Sequence, residues 1–212
     1  MSSLNYDFRF SLRQFLKQPG YTAIAVLVLG LGIGANTAIF SVVNAVLLRP
    51  LPYPDSDKLV LIREKTSTFE LGSVSYPNYL DWREGQRSLT DIALLRREGV
   101  NLSANTSDAE PERIAAARVT WNFLKIVGLP PRLGRDFTEA DDVPGASKVA
   151  LITDGLWKRR FGSSPSVLGQ QVTVDGVPRE IIGVLPEQLR LPRLAEIYLP
   201  LDDLRKQDNI LS

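Results

Sequence analysis

An uncharged stretch of 31 residues, from Gln18 to Leu48, constrains this chain more than any other feature of its sequence. It contains no Asp, Glu, Lys or Arg, and most of its side chains are apolar. A helix needs about 20 apolar residues to cross the hydrocarbon core of a bilayer, whereas the apolar core of a cleavable signal peptide is only about 7–15 residues long. The stretch therefore predicts a transmembrane helix over residues 21–48.

The sequence GLGIGA, residues 30–35, also matches the G-x-G-x-x-A pattern of dinucleotide-binding turns. Such a turn lies between a strand and an amphipathic helix, and an acidic residue follows roughly 20 positions later at the end of a second strand. Here residues 36–48 are uncharged on every face, and three prolines occur within residues 50–54. Proline opposes a central strand there, so we favour the membrane helix over a nucleotide site.

Small residues within this predicted helix recur every four positions, at Gly30, Gly34 and Ala38. Such a face lets two membrane helices approach closely, and small polar side chains can hydrogen-bond across the contact. A neighbouring stripe carries side chains of that kind, namely Thr37, Ser41 and Asn44. We therefore predict a helix-packing face formed by Gly30, Gly34, Ala38, Ser41 and Asn44. The alternative is a lone anchor helix that merely tolerates glycine, which is common in membrane spans.

Residues 1–20 predict an amphipathic elbow helix that lies on the cytoplasmic membrane surface. Two sets of side chains recur at helical spacing, apolar at Phe8, Leu12 and Phe15 and basic at Arg9, Arg13 and Lys17. A basic amphipathic helix binds anionic lipid through its charges and inserts its aromatic side chains into the headgroup boundary. Pro19-Gly20 then ends the helix. The alternative is an ordinary amphipathic helix on a soluble core.

Basic residues occur on both sides of the span, so their total count does not decide its orientation. The first ones after it are Arg49, Lys58, Arg63 and Lys65. The basic residues nearest its ends favour one orientation. Arg13 and Lys17 lie close to its start, whereas only Arg49 lies close to its end. Positive residues near a span favour the cytoplasmic side, while long domains cross the membrane largely regardless of their charge. We therefore expect a cytoplasmic N-terminus, with residues 49–212 outside.

The composition of residues 49–212 argues against several classes of function. This segment contains 22 basic and 23 acidic residues, so it lacks the concentrated positive charge that nucleic-acid binding requires. The chain has no Cys and no His, which removes thiolate chemistry, the commonest general base and the commonest transition-metal ligand. It also lacks the phosphate-binding G-x-x-x-x-G-K-[ST] sequence. We therefore expect no enzyme activity, no cofactor, no metal and no nucleic-acid partner.

One acidic cluster, TEADD at residues 138–142, could carry chemistry. Paired carboxylates can divide acid and base roles, and oxygen-rich clusters can bind calcium. The cluster lacks the alternating spacing and the glycine of a calcium-binding EF-hand loop. We favour a solvated helix start, in which Thr138 is the cap and Glu139, Asp141 and Asp142 lie near the positive end of the helix dipole.

Periodicity in the same segment predicts an α+β fold. Short apolar or alternating runs predict strands at residues 59–63, 92–102, 113–120, 149–152, 171–174, 180–184 and 197–199. Helices are predicted after the caps Ser75 and Thr153 or Asp154, and over residues 121–127, with ends at Gly85, Gly162 and Gly128. Asp175-Gly176 predicts a hairpin turn.

Several segments together resemble the N-terminal part of MacB/FtsX-type ABC-transporter permeases. The longest is DFRFSLRQFLKQPGYTAIAVLVLGLGIGANTAIFSVVNAVLLRPLPY, and shorter ones are SYPNYLDWR, LGRDFTEADD, LWKRRFG, VLGQQVTVDG and IIGVLP. The resemblance implies an elbow helix and a first membrane helix, followed by a periplasmic MacB-like core domain over residues 49–212. It implies two lobes in that domain, one near residues 49–120 plus the end and one inserted near residues 121–192. It also implies that the chain stops before the remaining membrane helices.

What the resemblance implies for function is a membrane subunit, or a fragment of one, in efflux or export. Its expected place is the bacterial inner membrane, and its expected partners are the lipid bilayer, a separate cytoplasmic ABC ATPase, a second permease half or a homodimer, and a periplasmic protein. The periplasmic domain would transmit ATPase-driven motion or contact partners. The alternative is a membrane-anchored extracytoplasmic enzyme or ligand-binding domain, which a cleft converging on Glu139, Asp141 and Asp142 would favour.

Overall fold

The structure is a computed structural model that describes Arg13 and residues 17–44, 53–64, 74–104 and 111–201. The chain divides into two compact units, Met1–Pro50 and Leu51–Ser212. Most of the predicted elbow helix, including Phe8, Arg9, Leu12 and Phe15, lies outside the described residues.

The first unit contains one long helix, α1 (Pro19–Val43). Pro19 takes the first helical position, where its missing N–H costs nothing. By length and composition α1 could cross a membrane, a test that a signal sequence near the N-terminus also passes. The predicted span agrees with α1 up to Val43, and residues 45–48 lie outside the described part of the chain. Because residues 24–29 are helical and form no strand, the dinucleotide-binding interpretation of residues 30–35 is excluded.

Seven strands of the second unit form one mixed sheet. They are β1 (Leu95–Ala104), β2 (Glu112–Val119), β3 (Leu133–Gly134), β4 (Val149–Thr153), β5 (Gln171–Val174), β6 (Val177–Leu185) and β7 (Ile197–Pro200). Their order is β3-β6-β4-β7-β2-β1-β5, and β5 also pairs with β6. Six strands therefore close into a ring of pairings that leaves out only β3. The pairs β2–β7 and β4–β6 are parallel, and the others are antiparallel.

Both faces of the central strands are buried, and alternate residues pack into two cores. In β4, Ala150 and Ile152 belong to one core, whereas Val149 and Leu151 belong to the other. A strand buried on both faces has a continuous apolar sequence instead of an alternating one, which explains the run VALI.

Three helices occur among the described residues of the second unit: α2 (Tyr76–Gly85), α3 (Phe123–Val127) and α4 (Asp154–Phe161). The predicted caps are confirmed. The Ser75 hydroxyl accepts the Asn78 N–H at 3.3 Å, and the Thr153 hydroxyl accepts the Leu156 N–H at 3.3 Å. The helices α3 and α4 both end at a glycine with positive φ, Gly128 at 74° and Gly162 at 57°. Glycine adopts this conformation without the strain that a Cβ causes.

The predicted hairpin turn at Asp175-Gly176 is also confirmed, since both residues have positive φ and join β5 to β6. One strand prediction is wrong. Residues 59–63 form no strand in the structure, and Val60 and Leu61 are 65% and 71% exposed. Their apolar, β-branched composition favours a strand, but no neighbouring strand in the described part of the chain pairs with them, and strand structure depends on pairing.

The acidic cluster forms a short 3-10 helix (Glu139–Asp142) with Thr138 at its N-cap, as predicted. The prediction that the cluster is solvated is wrong for Asp141 and Asp142, which are buried because hydrogen bonds from other groups of the chain replace water around them, and holds only for the exposed Glu139.

The Asp142 carboxylate is 0% exposed. One of its oxygens accepts the Trp121 N–H at 3.2 Å, and the other accepts the Leu201 N–H at 3.1 Å. This side chain therefore joins the turn before α3 to the residue after β7.

The neighbouring Asp141 carboxylate accepts two hydrogen bonds from the Arg135 guanidinium, at 2.7 and 3.0 Å. It also accepts the Thr138 N–H and hydroxyl, at 2.8 and 2.6 Å. Burial on its own would raise the pKa of Asp141, but these donors and the positive charge outweigh burial, so the pKa lies below its ordinary value. Asp141 is therefore a charged structural group of the loop.

We expect Asp142→Asn to lower the free energy of unfolding by about 2–3 kcal/mol, because the amide nitrogen would face a backbone N–H that needs an acceptor. Urea unfolding of the purified chain measures this change. The control is Asp81→Asn, at an exposed position on α2, which should change the free energy by no more than about 0.5 kcal/mol. Equal stability of the two variants would contradict a structural role for Asp142.

The contribution of Asp136 to stability should decrease as the pH rises towards neutral. Burial raises its pKa from 3.8 to about 6, so the folded chain binds this proton more tightly than the unfolded chain. Its contribution to stability is complete below pH 3.8 and is lost as the pH rises through about 6. Asp136→Asn should remove this loss, seen as a flatter pH dependence of urea unfolding between pH 4 and 7.5. Asp81→Asn should keep the wild-type slope, and the same slope in the Asp136 variant would refute the assignment.

Candidate functional site

The five predicted helix-packing residues lie on one side of α1. At about 100° per residue, Gly30, Gly34, Ala38 and Ser41 fall within an arc of about 80°, and Asn44 lies about 40° beyond it. All five are exposed. The four-residue spacing in the sequence therefore becomes a single narrow face in the structure.

The backbone is open along this face. A Cβ added to Gly30 or Gly34 would meet no other atom within 4 Å. At about 100° per residue, Leu27 falls within the same arc as the glycines and Leu31 about 20° beyond it, and both are more than 60% exposed. The glycines leave room for the backbone of a second helix, and the packing role of this face stays a prediction.

The hydroxyl groups on this side of α1 bond within their own helix. The Thr37 hydroxyl donates to the Ile33 carbonyl at 2.7 Å, and the Ser41 hydroxyl donates to the Thr37 carbonyl at 2.7 Å. Both are the i to i−4 bonds that Ser and Thr often make in helices. Their donors are therefore satisfied without another helix, which leaves the exposed Asn44 amide as the polar group of this face best suited to a partner.

The opposite side of α1 also carries a glycine. Gly32 lies about 160° from Gly34 around the helix, and Ile39 lies close to it on that side, about 140° from Gly34. A Cβ at Gly32 would likewise meet no atom within 4 Å. The presence of a glycine therefore does not distinguish the two sides of α1. What distinguishes them is the series of small residues at four-residue spacing on one side.

The carboxylates of the acidic cluster have different surroundings in the structure. Asp141 and Asp142 are occupied by structural hydrogen bonds, whereas Glu139 is exposed. Among the described residues there is no group of three or more Asp or Glu side chains that could bind a metal ion.

Two recesses open on the described surface of the second unit. One, of about 360 Å³, is mainly apolar and includes Ile62, Trp82 and Leu89. The other, of about 230 Å³, lies between the start of α4 and the loop of residues 186–196. Asp154 lines this second recess, but its carboxylate forms ion pairs with Arg132 at 2.8 Å and with Lys158 at 2.6 Å.

Sequence reasoning missed the loop of residues 186–196, which presents Leu194 to solvent at 79% exposure. Leu194 has a φ of 76°, a conformation that sequence reading associates with Gly or Asn. The segment Pro-Arg-Leu-Ala contains neither residue, so no sequence signal marks this turn. The double hydrogen bonding of Asp142 was missed because its two partners are distant in the chain.

Known proteins are similar to this chain in sequence and in fold. The family model described as the MacB-like periplasmic core domain matches residues 22–211. A segment of 66 residues, 31% of the chain, is 36% identical to the pyoverdine export ATP-binding/permease protein PvdT of Pseudomonas entomophila (strain L48). That segment spans only 10% of PvdT.

Two solved structures are similar to the chain in fold. The periplasmic region of MacB from Actinobacillus actinomycetemcomitans has a TM-score of 0.53 at 18% identity, and the match covers 64% of this chain and 58% of that one. The extracellular domain of the noncanonic ABC-type transporter YknZ from Gram-positive bacteria has a TM-score of 0.51 at 23% identity, covering 65% and 67%. With a family match over most of its length, the chain belongs to the MacB-like periplasmic core domain family of ABC-transporter permeases.

Proposed function

We propose that the chain is a membrane-embedded part of an ABC-transporter permease in the bacterial inner membrane. In this proposal α1 crosses the bilayer, the N-terminus is cytoplasmic, and residues 49–212 lie on the periplasmic or extracellular side. The observation that carries the proposal is α1, a helix of 25 residues without a charge and without a buried residue. The match to the MacB-like family supports it.

The role we assign to α1 is contact with another membrane helix. The face formed by Gly30, Gly34, Ala38, Ser41 and Asn44 would bring a second helix close, either from another span of the permease or from a second copy. Association within lipid depends mainly on van der Waals packing, because lipid tails are as apolar as the side chains. Bulk on this face should therefore separate the helices.

The role we assign to the second unit is mechanical. The unit would transmit motion driven by a separate cytoplasmic ABC ATPase, or contact a periplasmic partner, in efflux or export. Its closed ring of strands with two buried cores suits a body that moves as a whole. The structural roles of Asp141 and Asp142 speak against the alternative of an enzyme centred on the acidic cluster.

We retain the two lobes, residues 49–120 plus the end and residues 121–192, as part of the proposal. The parallel pairing of β7 with β2 supports assigning the end of the described chain to the first lobe. The single sheet includes strands of both lobes, so any motion between the lobes would have to bend it.

The test of the packing face compares leucine at two glycines of α1. Gly34→Leu adds bulk to the proposed face, and Gly32→Leu adds the same bulk on the other side. We expect self-association of the full chain in bacterial membranes, measured with a dimerisation-dependent reporter, to fall about fivefold or more for Gly34→Leu and to stay within about twofold for Gly32→Leu. Asn44→Leu should give an intermediate loss. Equal losses at the two glycines would mean that α1 is a plain anchor.

A second experiment tests the orientation. A phosphatase that is active only in the periplasm, fused after Ser212, should be active in cells. The matched control places the same enzyme before Met1, where it should be inactive. Activity with the opposite pattern would refute the proposed orientation and, with it, the placement of the second unit outside the cytoplasm.

A further inference from the structure

The turn formed by Pro192, Arg193, Leu194 and Ala195 holds a leucine in an unfavourable position. The Ala195 N–H donates to the Pro192 carbonyl at 3.3 Å and closes the turn. Leu194, its third residue, has a φ of 76° and is 79% exposed. A positive φ at this position is typical of type II turns, which favour glycine there. Leu194 therefore combines backbone strain with an apolar side chain in water.

The surrounding structure fixes this conformation. Leu189 and Pro192 are buried and attach the loop to the domain. The Arg190 N–H donates to the Tyr53 hydroxyl at 3.2 Å, and the Tyr198 hydroxyl donates to the Leu191 carbonyl at 2.8 Å. Strained residues persist where their surroundings determine them, and they concentrate at functional sites.

Two positively charged side chains lie in the same loop as the exposed leucine. Arg190 and Arg193 are both exposed, and neither forms an ion pair with a described residue. The acidic residues of the same loop do form ion pairs, Glu187 with Lys158 at 3.7 Å and Glu196 with Arg159 at 2.6 Å. The loop therefore presents one apolar side chain and two exposed guanidinium groups within residues 190–194.

The recess of about 230 Å³ lies directly beside this turn, and Leu194 and Ala195 form part of its wall. A protein partner could fit this surface with a pocket for the protruding Leu194 and with side chains that fill the recess. Protein interfaces reach high shape complementarity in this way and are enriched in arginine. A lipid surface offers no fixed shape to fit such a recess.

We propose that the turn of residues 190–195 is a docking site for a periplasmic protein partner. The partner would offer an apolar pocket for Leu194, with carboxylates at its rim for Arg190 and Arg193. A turn that is already fixed loses little conformational freedom on binding, which favours affinity. The inference deepens the proposed function and rests on it in one respect, the location of the second unit outside the cytoplasm.

The conformation of Leu194 allows binding to be separated from stability. Leu194→Gly removes the proposed anchor and also relieves the strain, because glycine adopts a positive φ freely. The thermal midpoint of the purified full chain should therefore stay equal or rise. Leu194→Asn serves as a second variant, since asparagine also tolerates this backbone conformation. A clear fall in the midpoint of both variants would show that Leu194 supports the fold, and would overturn the proposal.

Photo-crosslinking in living cells tests the binding itself. A benzophenone amino acid at the exposed Gln188, in the same loop, should cross-link the full chain to one other polypeptide. Mass spectrometry should place the cross-link beside apolar residues and carboxylates of that polypeptide. Leu194→Gly, and Arg190→Glu with Arg193→Glu, should each lower the yield about tenfold. The same probe at the exposed Val177 is the control and should give no such product.

Other outcomes of the cross-linking experiment overturn the proposal. These are a cross-link to a second copy of the chain, a cross-link to lipid, no cross-link, or a yield that Leu194→Gly leaves unchanged. If the phosphatase fused after Ser212 is active, each of these outcomes refutes the docking site and leaves the proposed function standing. An inactive phosphatase would instead refute the proposed function, whatever the cross-link shows.

Discussion

The second unit depends on the pairings of β7, a strand of only four residues. On one side β7 pairs with β2 in parallel, and on the other it pairs with β4 in antiparallel orientation. All four of its residues are buried. Without β7, the strands β4 and β2 would be connected only through β6, β5 and β1. The Asp142 carboxylate adds to this by accepting the N–H of Leu201, directly after β7.

Most elements of the fold could be predicted because their signals are local. The apolar run of β4, the caps Ser75 and Thr153, and the Asp175-Gly176 turn each follow from residues within a few positions of one another. The uncharged stretch predicted α1 in the same way, since helices in apolar surroundings satisfy their own backbone. The alignment of Gly30, Gly34 and Ala38 on one side of α1 could also be predicted, because a four-residue spacing becomes one face in any helix, whereas the packing role of that face stays a prediction.

Features that depend on distant partners could not be predicted. Residues 59–63 have the composition of a strand, yet no strand forms without a neighbour to pair with. The pairing of β7 with β2 joins segments about 80 residues apart in the chain. The strain at Leu194 comes from the buried residues around its turn and not from the turn sequence itself. The hydroxyl groups of Thr37 and Ser41 donate to carbonyl groups of their own helix. They are therefore less available to a second helix than their positions in the sequence suggested.

The closed ring of strands has a consequence for the behaviour of the domain in solution. A sheet with an open edge exposes unpaired N–H and C=O groups, which can recruit strands of other molecules and start aggregation. Here β5 and β3 share one edge of β6, and the outermost strand, β3, is only two residues long. The ring is less complete along β1, which pairs with β2 over residues 95–102 but with β5 only over residues 102–104. In the described part of the chain, residues 95–100 thus have no strand partner on that second edge, and edge-to-edge association of this domain would begin there.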